Sequence, residues 1–217
     1  MALGVTHLET DVRASLDGIA VISHDPDLAR LAHREARVDS LTLAELKQID
    51  LGDGQTFVSL AEALDAFPGA RFNIDVKSAD AIGPTIDAVR AAGAIRRVLV
   101  TSFSETRRRR AVAGLAGVAS SASSTMFAMA MVAAKLGLSP IVRAVLRKVD
   151  AIQVPETAFG LRIVTPRLVR MFHSARCEIH IWTINDPASM TRLLDLGVDG
   201  LVTDRADLAL KVLRNRA

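Results

Sequence analysis

Two carboxylates two residues apart, Glu9 and Asp11, open the chain's most chemically loaded stretch, residues 7–25. In Leu8-Glu9-Thr10-Asp11-Val12 the alternation predicts a strand, and a period of two puts both carboxylates on one face. Like charges so placed repel unless something positive lies between them. A hard divalent cation, Mg²⁺ or Ca²⁺, is the simplest such partner, because it takes oxygen ligands and fills the rest of its shell with water. Asp17-Gly18 then reads as a hairpin turn, and Ile19-Ala20-Val21-Ile22-Ser23 as a returning strand that ends on His24-Asp25. The hairpin folds His24 back towards the carboxylates. A cation beside an imidazole is an apparatus for phosphoryl chemistry, the metal polarising the phosphate and the histidine moving a proton.

The theme recurs downstream. In Ile74-Asp75-Val76-Lys77, Asp75 and Lys77 share one strand face, opposite the apolar pair. Asp75 reads as a third oxygen ligand and Lys77 as a compact charge suited to a phosphate; the plainer alternative is an in-strand ion pair. For Glu9 and Asp11 the plainer alternative is a solvent-facing strand edge, and for His24 a simple turn. Trp182, the only tryptophan, is either a core aromatic or part of a pocket wall. The Arg107–Arg110 run reads as the solvated face of a helix. His7, His33, His173 and His180 read as surface or core positions, and Asp199 and Asp204 as turn and capping residues.

Strand and helix signals alternate along the chain, as in a parallel sheet with helical crossovers. Strands are predicted over 6–12, 72–77, 98–102, 117–120, 151–154, 178–183 and 200–203, with residues 19–23 as an antiparallel hairpin arm. Thr42-Leu43-Ala44-Glu45 and Ser59-Leu60-Ala61-Glu62 have capping-box spacing, so each opens a helix. Helices are expected near 81–92 and 104–113, and Thr165-Pro166 and Asp186-Pro187 each place a cap before a proline at the first helical position. Residues 125–147 are largely apolar but broken by Lys135 and Pro140, which predicts two short helices rather than a membrane span. Their apolar surplus packs against the sheet or, in a second reading, forms a Met-rich lip that takes a lipid tail or touches a bilayer.

These motifs resemble the glycerophosphodiester phosphodiesterase family, in the order in which that family carries them. Glu-x-Asp, then Asp-Gly, then an apolar strand ending in His-Asp is its opening pattern. Phe72-Asn73-Ile74-Asp75-Val76-Lys77 is similar to its acidic-x-Lys strand, and Thr101-Ser102-Phe103 to its Ser-Phe strand. Trp182-Thr183-Ile184-Asn185 and the stretch 197–204 are similar to its last two strands. The resemblance implies a metal-dependent TIM (β/α)₈-type barrel that splits a glycerophosphodiester into an alcohol and glycerol 3-phosphate. It assigns Glu9, Asp11 and Asp75 to the metal, Lys77 to the phosphate, His24 to proton transfer and Trp182 to the glycerol pocket. The family usually has glutamate at the Asp75 position, so a shorter side chain must reach further here. Its His-Arg-Gly strand and following Pro-Glu-Asn triplet do not occur among the 217 residues. The expectation is therefore a barrel with seven parallel strands and a small insertion over about 26–66, its first strand–helix unit either truncated from this sequence or lost with half of the catalytic pair, and the 217 residues as given feeble or inactive. Two rivals follow: a non-catalytic barrel that binds a cation and a phosphodiester, and a related lysophospholipase D-type enzyme acting on a lysophospholipid.

Composition bounds the rest. A chain of 217 residues suits one domain over its whole length and falls short of the ~250 usual for a complete (β/α)₈ barrel. Its 27 basic against 24 acidic residues give +3, with no long basic run, so no nucleic-acid footprint is expected. Cys177 is alone, which excludes an internal disulfide and suits a reducing compartment. Residues 1–11 have neither a basic n-region nor a long apolar core, so a cytoplasmic protein is expected.

Overall fold

The computed structural model describes residues 3–32, 34–158 and 161–216. The chain divides into two compact units, Thr6–Ala119 and Ser120–Ala217 with Met1–Val5.

The unit Thr6–Ala119 begins with a hairpin of β1 (His7–Ala14) and β2 (Ala20–Ile22). Its turn closes through Ser15 N to Ile19 O and Gly18 N to Ser15 O, both 3.0 Å, with Gly18 at φ 74°, a conformation glycine reaches without a Cβ clash. The sequence pattern ends β1 at residue 12, but the strand runs to Ala14. Arg13 and Ala14 pair with Val21 and Ala20 of β2, so the hairpin extends the strand beyond its parallel neighbour. Between β2 and the next strand lie α1 (Ala29–Ala32), α2 (Leu43–Leu46) and α3 (Leu60–Ala66). β2, α1, α2 and their connections share a small core of their own, Val21, Leu28, Val38, Leu46, Ile49 and Phe57, whereas α3 packs its Leu60 and Leu64 into the main cluster. Both expected capping boxes form: the Thr42 and Ser59 hydroxyls accept from Glu45 N and Glu62 N, and each glutamate reaches back to its cap.

Then follow β3 (Arg71–Val76), α4 (Ile82–Ala91), β4 (Val98–Thr101), α5 (Glu105–Ala113) and the short β5 (Ala119–Ser120), on which the boundary between the units falls. Hydrogen bonding orders this five-stranded sheet β2-β1-β3-β4-β5, with β1, β3 and β4 parallel. Alternation decides which side is core. Val12 and Ala14 of β1 and Phe72, Ile74 and Val76 of β3 are buried in one cluster with Leu60, Leu64, Val89 and Leu115. Glu9, Asp11 and Asp75 are thereby committed to the other face. The arginine run departs from its solvated reading at one position: Arg108 is buried and doubly bonded to Glu105.

In the second unit, α6 (Ser124–Lys135) and α7 (Ser139–Leu146) precede β6 (Ala151–Pro155). A two-stranded ribbon, β7 (Thr157–Ala158) with β8 (Leu161–Arg162), comes next and has no counterpart in the sequence reading. The chain closes with α8 (Pro166–Ser174), β9 (Glu178–Trp182), α9 (Pro187–Asp195), β10 (Gly200–Leu201) and α10 (Ala206–Arg214). The strands β10, β9 and β6 form a parallel three-stranded sheet in that order. Thr165 and Asp186 cap α8 and α9 as expected. Asp204 does not cap α10, because it accepts from the Asn185 amide at 2.9 Å instead. The seven expected stretches all carry strands, but these are shared between two sheets, one of which also includes the antiparallel β2. Among the described residues no helix is long and apolar enough to cross a membrane.

The Ser59 capping box supplies a pH test of the fold. Glu62 is pulled down from 4.5 to about 2, first by the Lys47 ammonium and next by the Ser59 backbone N–H. A carboxyl with a lowered folded-state value adds stability that is complete above its unfolded value and disappears as pH falls towards the folded one. Glu62→Gln is expected to lower the melting temperature at neutral pH and to cost progressively less below about pH 4.5, which thermal melts across that range would read.

Candidate active site

The site grows from the register of two strands. β1 and β3 pair in parallel with Glu9 opposite Asn73 and Asp11 opposite Asp75. Three carboxylates therefore crowd one face, Asp75 being 5% exposed. Lys77 follows the end of β3, tethered by its N–H to Val12 O at 3.0 Å. Its side chain turns back over the pair and places Nζ 2.8 Å from Asp11 Oδ1 and 2.7 Å from Asp75 Oδ2. One ammonium thus answers two carboxylates. The Phe103 ring lies under the same ammonium, its centroid 5.5 Å from Nζ, a cation–π contact. Burial alone would lower the lysine's pKa, but its hydrogen bonds to Asp11 and Asp75 outweigh this and the net shift is upward.

Glu9 is left without such a partner. Partial loss of hydration, and then the charge on Asp11, push its carboxyl from 4.5 to about 7. Asp75 Oδ1 is buried and accepts no hydrogen bond. An orphaned carboxylate oxygen and a glutamate that resists ionisation mark a face with more negative groups than Lys77 can balance. The donor set, oxygens only, fits a hard divalent cation. The arrangement is nevertheless closed around Lys77, and among the described residues no three of His, Cys, Asp or Glu converge as a ready-made metal cluster.

His24 stands at the end of the hairpin. Ser23 N donates to Asp11 O at 3.0 Å, which continues the β1–β2 pairing and brings the next residue alongside the carboxylates. A protonated His24 is close enough to lower Glu9. Its ring is largely exposed, with Nδ1 2.7 Å from Asp25 Oδ1, while Asp25 Oδ2 takes Arg30 Nε at 2.5 Å. Those two bonds, to His24 and then to Arg30, hold Asp25 below the usual carboxylate range. With the Nδ1 proton donated to Asp25, Nε2 is the nitrogen left to take up or deliver a proton.

The structure brings together Glu9, Asp11, Asp75, Lys77 and His24, all within the unit Thr6–Ala119. Trp182 ends β9 in the other unit, half-buried. Sequence reasoning passed over Asp25, Arg30 and Phe103. Asp25 was in view as half of His24-Asp25, but its bonds to both His24 and Arg30 need the fold. Phe103 gave a signal only as part of the Ser-Phe pair: Ser102 Oγ donates to Val76 O at 2.7 Å, fixing the chain where the ring meets Lys77.

Parallel strands bearing carboxylates, a lysine and an oriented imidazole at one end are the makings of a phosphoryl-transfer enzyme on an α/β scaffold. A family model, the glycerophosphoryl diester phosphodiesterase family, matches residues 1–208. The chain is 43% identical over 212 residues to the "Probable glycerophosphodiester phosphodiesterase 2" of Mycobacterium tuberculosis, an alignment covering 97% of this chain and 80% of that protein. Among solved structures, a glycerophosphodiester phosphodiesterase from Agrobacterium tumefaciens superposes with a TM-score of 0.80 at 22% identity, covering 98% of this chain and 88% of that one. An Oleispira antarctica phosphodiesterase, solved in complex with the product sn-glycerol-3-phosphate, gives 0.79 at 20% identity over 98% and 87% of the two chains. The fold class is the TIM-barrel type of these proteins. The chain belongs to the glycerophosphoryl diester phosphodiesterase family, a family of phosphoric diester hydrolases.

Two substitutions test the electrostatics in the absence of divalent cations. A raised acid value means that the fold holds the Glu9 proton more tightly than the unfolded chain does, so stability declines as pH rises from 4.5 through about 7. Glu9→Gln is expected to melt higher than the parent at alkaline pH and alike below pH 4.5. Lys77→Met leaves Asp11 and Asp75 facing each other unneutralised and is expected to cost about 3–5 kcal/mol in urea unfolding.

Proposed function

We propose that this chain hydrolyses glycerophosphodiesters to an alcohol and glycerol 3-phosphate with the help of a divalent cation. The reading is carried by the clustering of Asp11, Asp75 and Lys77 beside the Asp25-oriented His24, together with membership of the family. Glu9, Asp11 and Asp75 would hold Mg²⁺ or Ca²⁺, and such an ion supplies charge neutralisation and polarisation of a phosphate oxygen. Lys77, on a flexible stem, offsets the charge that builds on the phosphoryl oxygens as water attacks phosphorus and the ester P–O bond breaks. His24 Nε2 takes up or delivers one of the two protons that the reaction moves. Trp182 is assigned to the glycerol pocket on the family resemblance. Losing one placed proton-transfer group costs ~10²- to 10⁴-fold. Replacing His24 removes one such group from the site.

A second reading, a barrel that binds cation and phosphodiester without turnover, draws on the closure of Lys77 over its carboxylates. A lysophospholipid substrate is a variant of the first reading. The deciding assay is release of glycerol 3-phosphate from glycerophosphocholine and from a lysophospholipid, with and without Mg²⁺ or Ca²⁺, by the parent and His24→Ala. Cation-dependent release that falls ~10²-fold or more in His24→Ala supports the enzyme. Release indifferent to cation or to His24 overturns it, and no release, with glycerol 3-phosphate still bound, assigns the chain to the second reading.

Cation binding has a readout independent of turnover. Titrating Ca²⁺ or Mg²⁺ into chelator-treated protein is expected to raise the melting temperature in proportion to the logarithm of its concentration. Asp11→Asn with Asp75→Asn abolishes that rise if these oxygens hold the ion.

A further inference from the structure

The α6–α7 hairpin differs from the other outer helices of its unit. Its inward side is buried as expected, with Ala130, Ala133 and Ala134 of α6 and Val142 and Leu146 of α7 in the core. Its outward side is apolar as well. Met129 is 56% exposed, Val132 57% and Leu136 68%, at the three- and four-residue spacing that aligns side chains along one helical stripe. Leu138 and Ile141, 41% and 47% exposed, add to the patch from the connection and from α7. On α8, by contrast, the exposed positions include Arg167, Arg170, His173 and Ser174.

Charge around the patch has one sign. Residues 124–149 contain Lys135, Arg143, Arg147 and Lys148 and no aspartate or glutamate. All four cations are exposed, and among the described residues no carboxylate pairs with any of them. Lys135 interrupts the apolar stripe between Val132 and Leu136, while Arg143, Arg147 and Lys148 follow Ile141 along and beyond α7. Some surface arginines elsewhere are matched by carboxylates, as Arg205 is by Asp207 and Arg216 by Asp195; what sets α6–α7 apart is that its cations border an exposed apolar stripe.

We propose that the outer face of α6–α7 docks the protein on an anionic lipid surface. Bare apolar side chains bordered by unpaired lysine and arginine, with no acid in either helix to repel lipid phosphates, are the makings of an interfacial helix: the apolar stripe enters the acyl boundary and the cations meet the headgroups. A protein partner covering the same stripe would have to bring its own acids to four cations, whereas an anionic bilayer supplies them at every position. The inference concerns where the protein works and does not depend on what its active site does.

Vesicle co-sedimentation of the full chain tests this. Vesicles of phosphatidylcholine alone are expected to retain little protein, and vesicles that also contain phosphatidylglycerol to retain most of it, less so as salt is raised. Replacing Met129, Val132 and Leu136 together by serine is expected to weaken retention at least about tenfold, with an unchanged circular dichroism spectrum because these side chains are exposed. Lys135→Glu with Arg143→Glu is expected to remove the preference for phosphatidylglycerol. Failure of the parent to bind either vesicle, or binding that survives the serine substitutions, overturns the proposal. So does a concentration-dependent dimer in solution that those substitutions disperse, which would assign the face to a second copy of the chain.

Discussion

The neutralisation of Asp11 and Asp75 by the Lys77 ammonium is the interaction on which the rest of the site depends. Register makes the problem: parallel pairing of β1 with β3 sets the two aspartates side by side, and alternation has already pledged the opposite faces of both strands to the core. Neither residue can turn away without stripping Val12, Ile74 or Val76 from that core. The compensating charge must therefore come to the carboxylates. Lys77 is placed to provide it because its backbone still pairs with Val12 at the strand end while its stem is long enough to reach back.

His24 is positioned by a separate device, the hairpin. β1 outruns its parallel neighbour and uses the extra length to carry β2, whose pairing with Asp11 continues through Ser23. His24 is then held in place by the backbone, and its ring orientation by Asp25 and Arg30. The ring remains exposed while its partners are fixed, which suits a group that must meet a substrate from solvent. The neutralising lysine and the oriented imidazole thus sit on different elements, and both are aligned by the same strand.

How much of this was legible depends on whether the signal is local. The capping boxes at Thr42 and Ser59, the caps at Thr165 and Asp186 and the Asp17-Gly18 turn are each written within a few residues, and each forms. The common face of Glu9 and Asp11, and that of Asp75 and Lys77, follow from a period of two. What alternation cannot give is the pairing between strands, so the sequence showed candidates without showing that Lys77 would bridge two of them. Asp204 is a miss of the same kind. Its position before a helix suggests a cap, but Asn185, nineteen residues earlier, competes for the carboxylate through the fold. Phe103 gave almost no signal, since a lone aromatic after a strand says nothing of the cation it will meet.

The observed role of Lys77 and the one proposed for it cannot be filled at once. Closed on Asp11 and Asp75 it is a structural counter-ion; to help a phosphate it must release at least one of them. Release is costly while those carboxylates have no other partner, as the unmatched Asp75 Oδ1 and the reluctant Glu9 already indicate. A divalent cation on the same oxygens would remove that cost and repel the ammonium, leaving it free for a substrate anion. On the proposed function, the excess of acid over base on this face, unfavourable to the bare fold, would couple cation binding to the availability of the lysine.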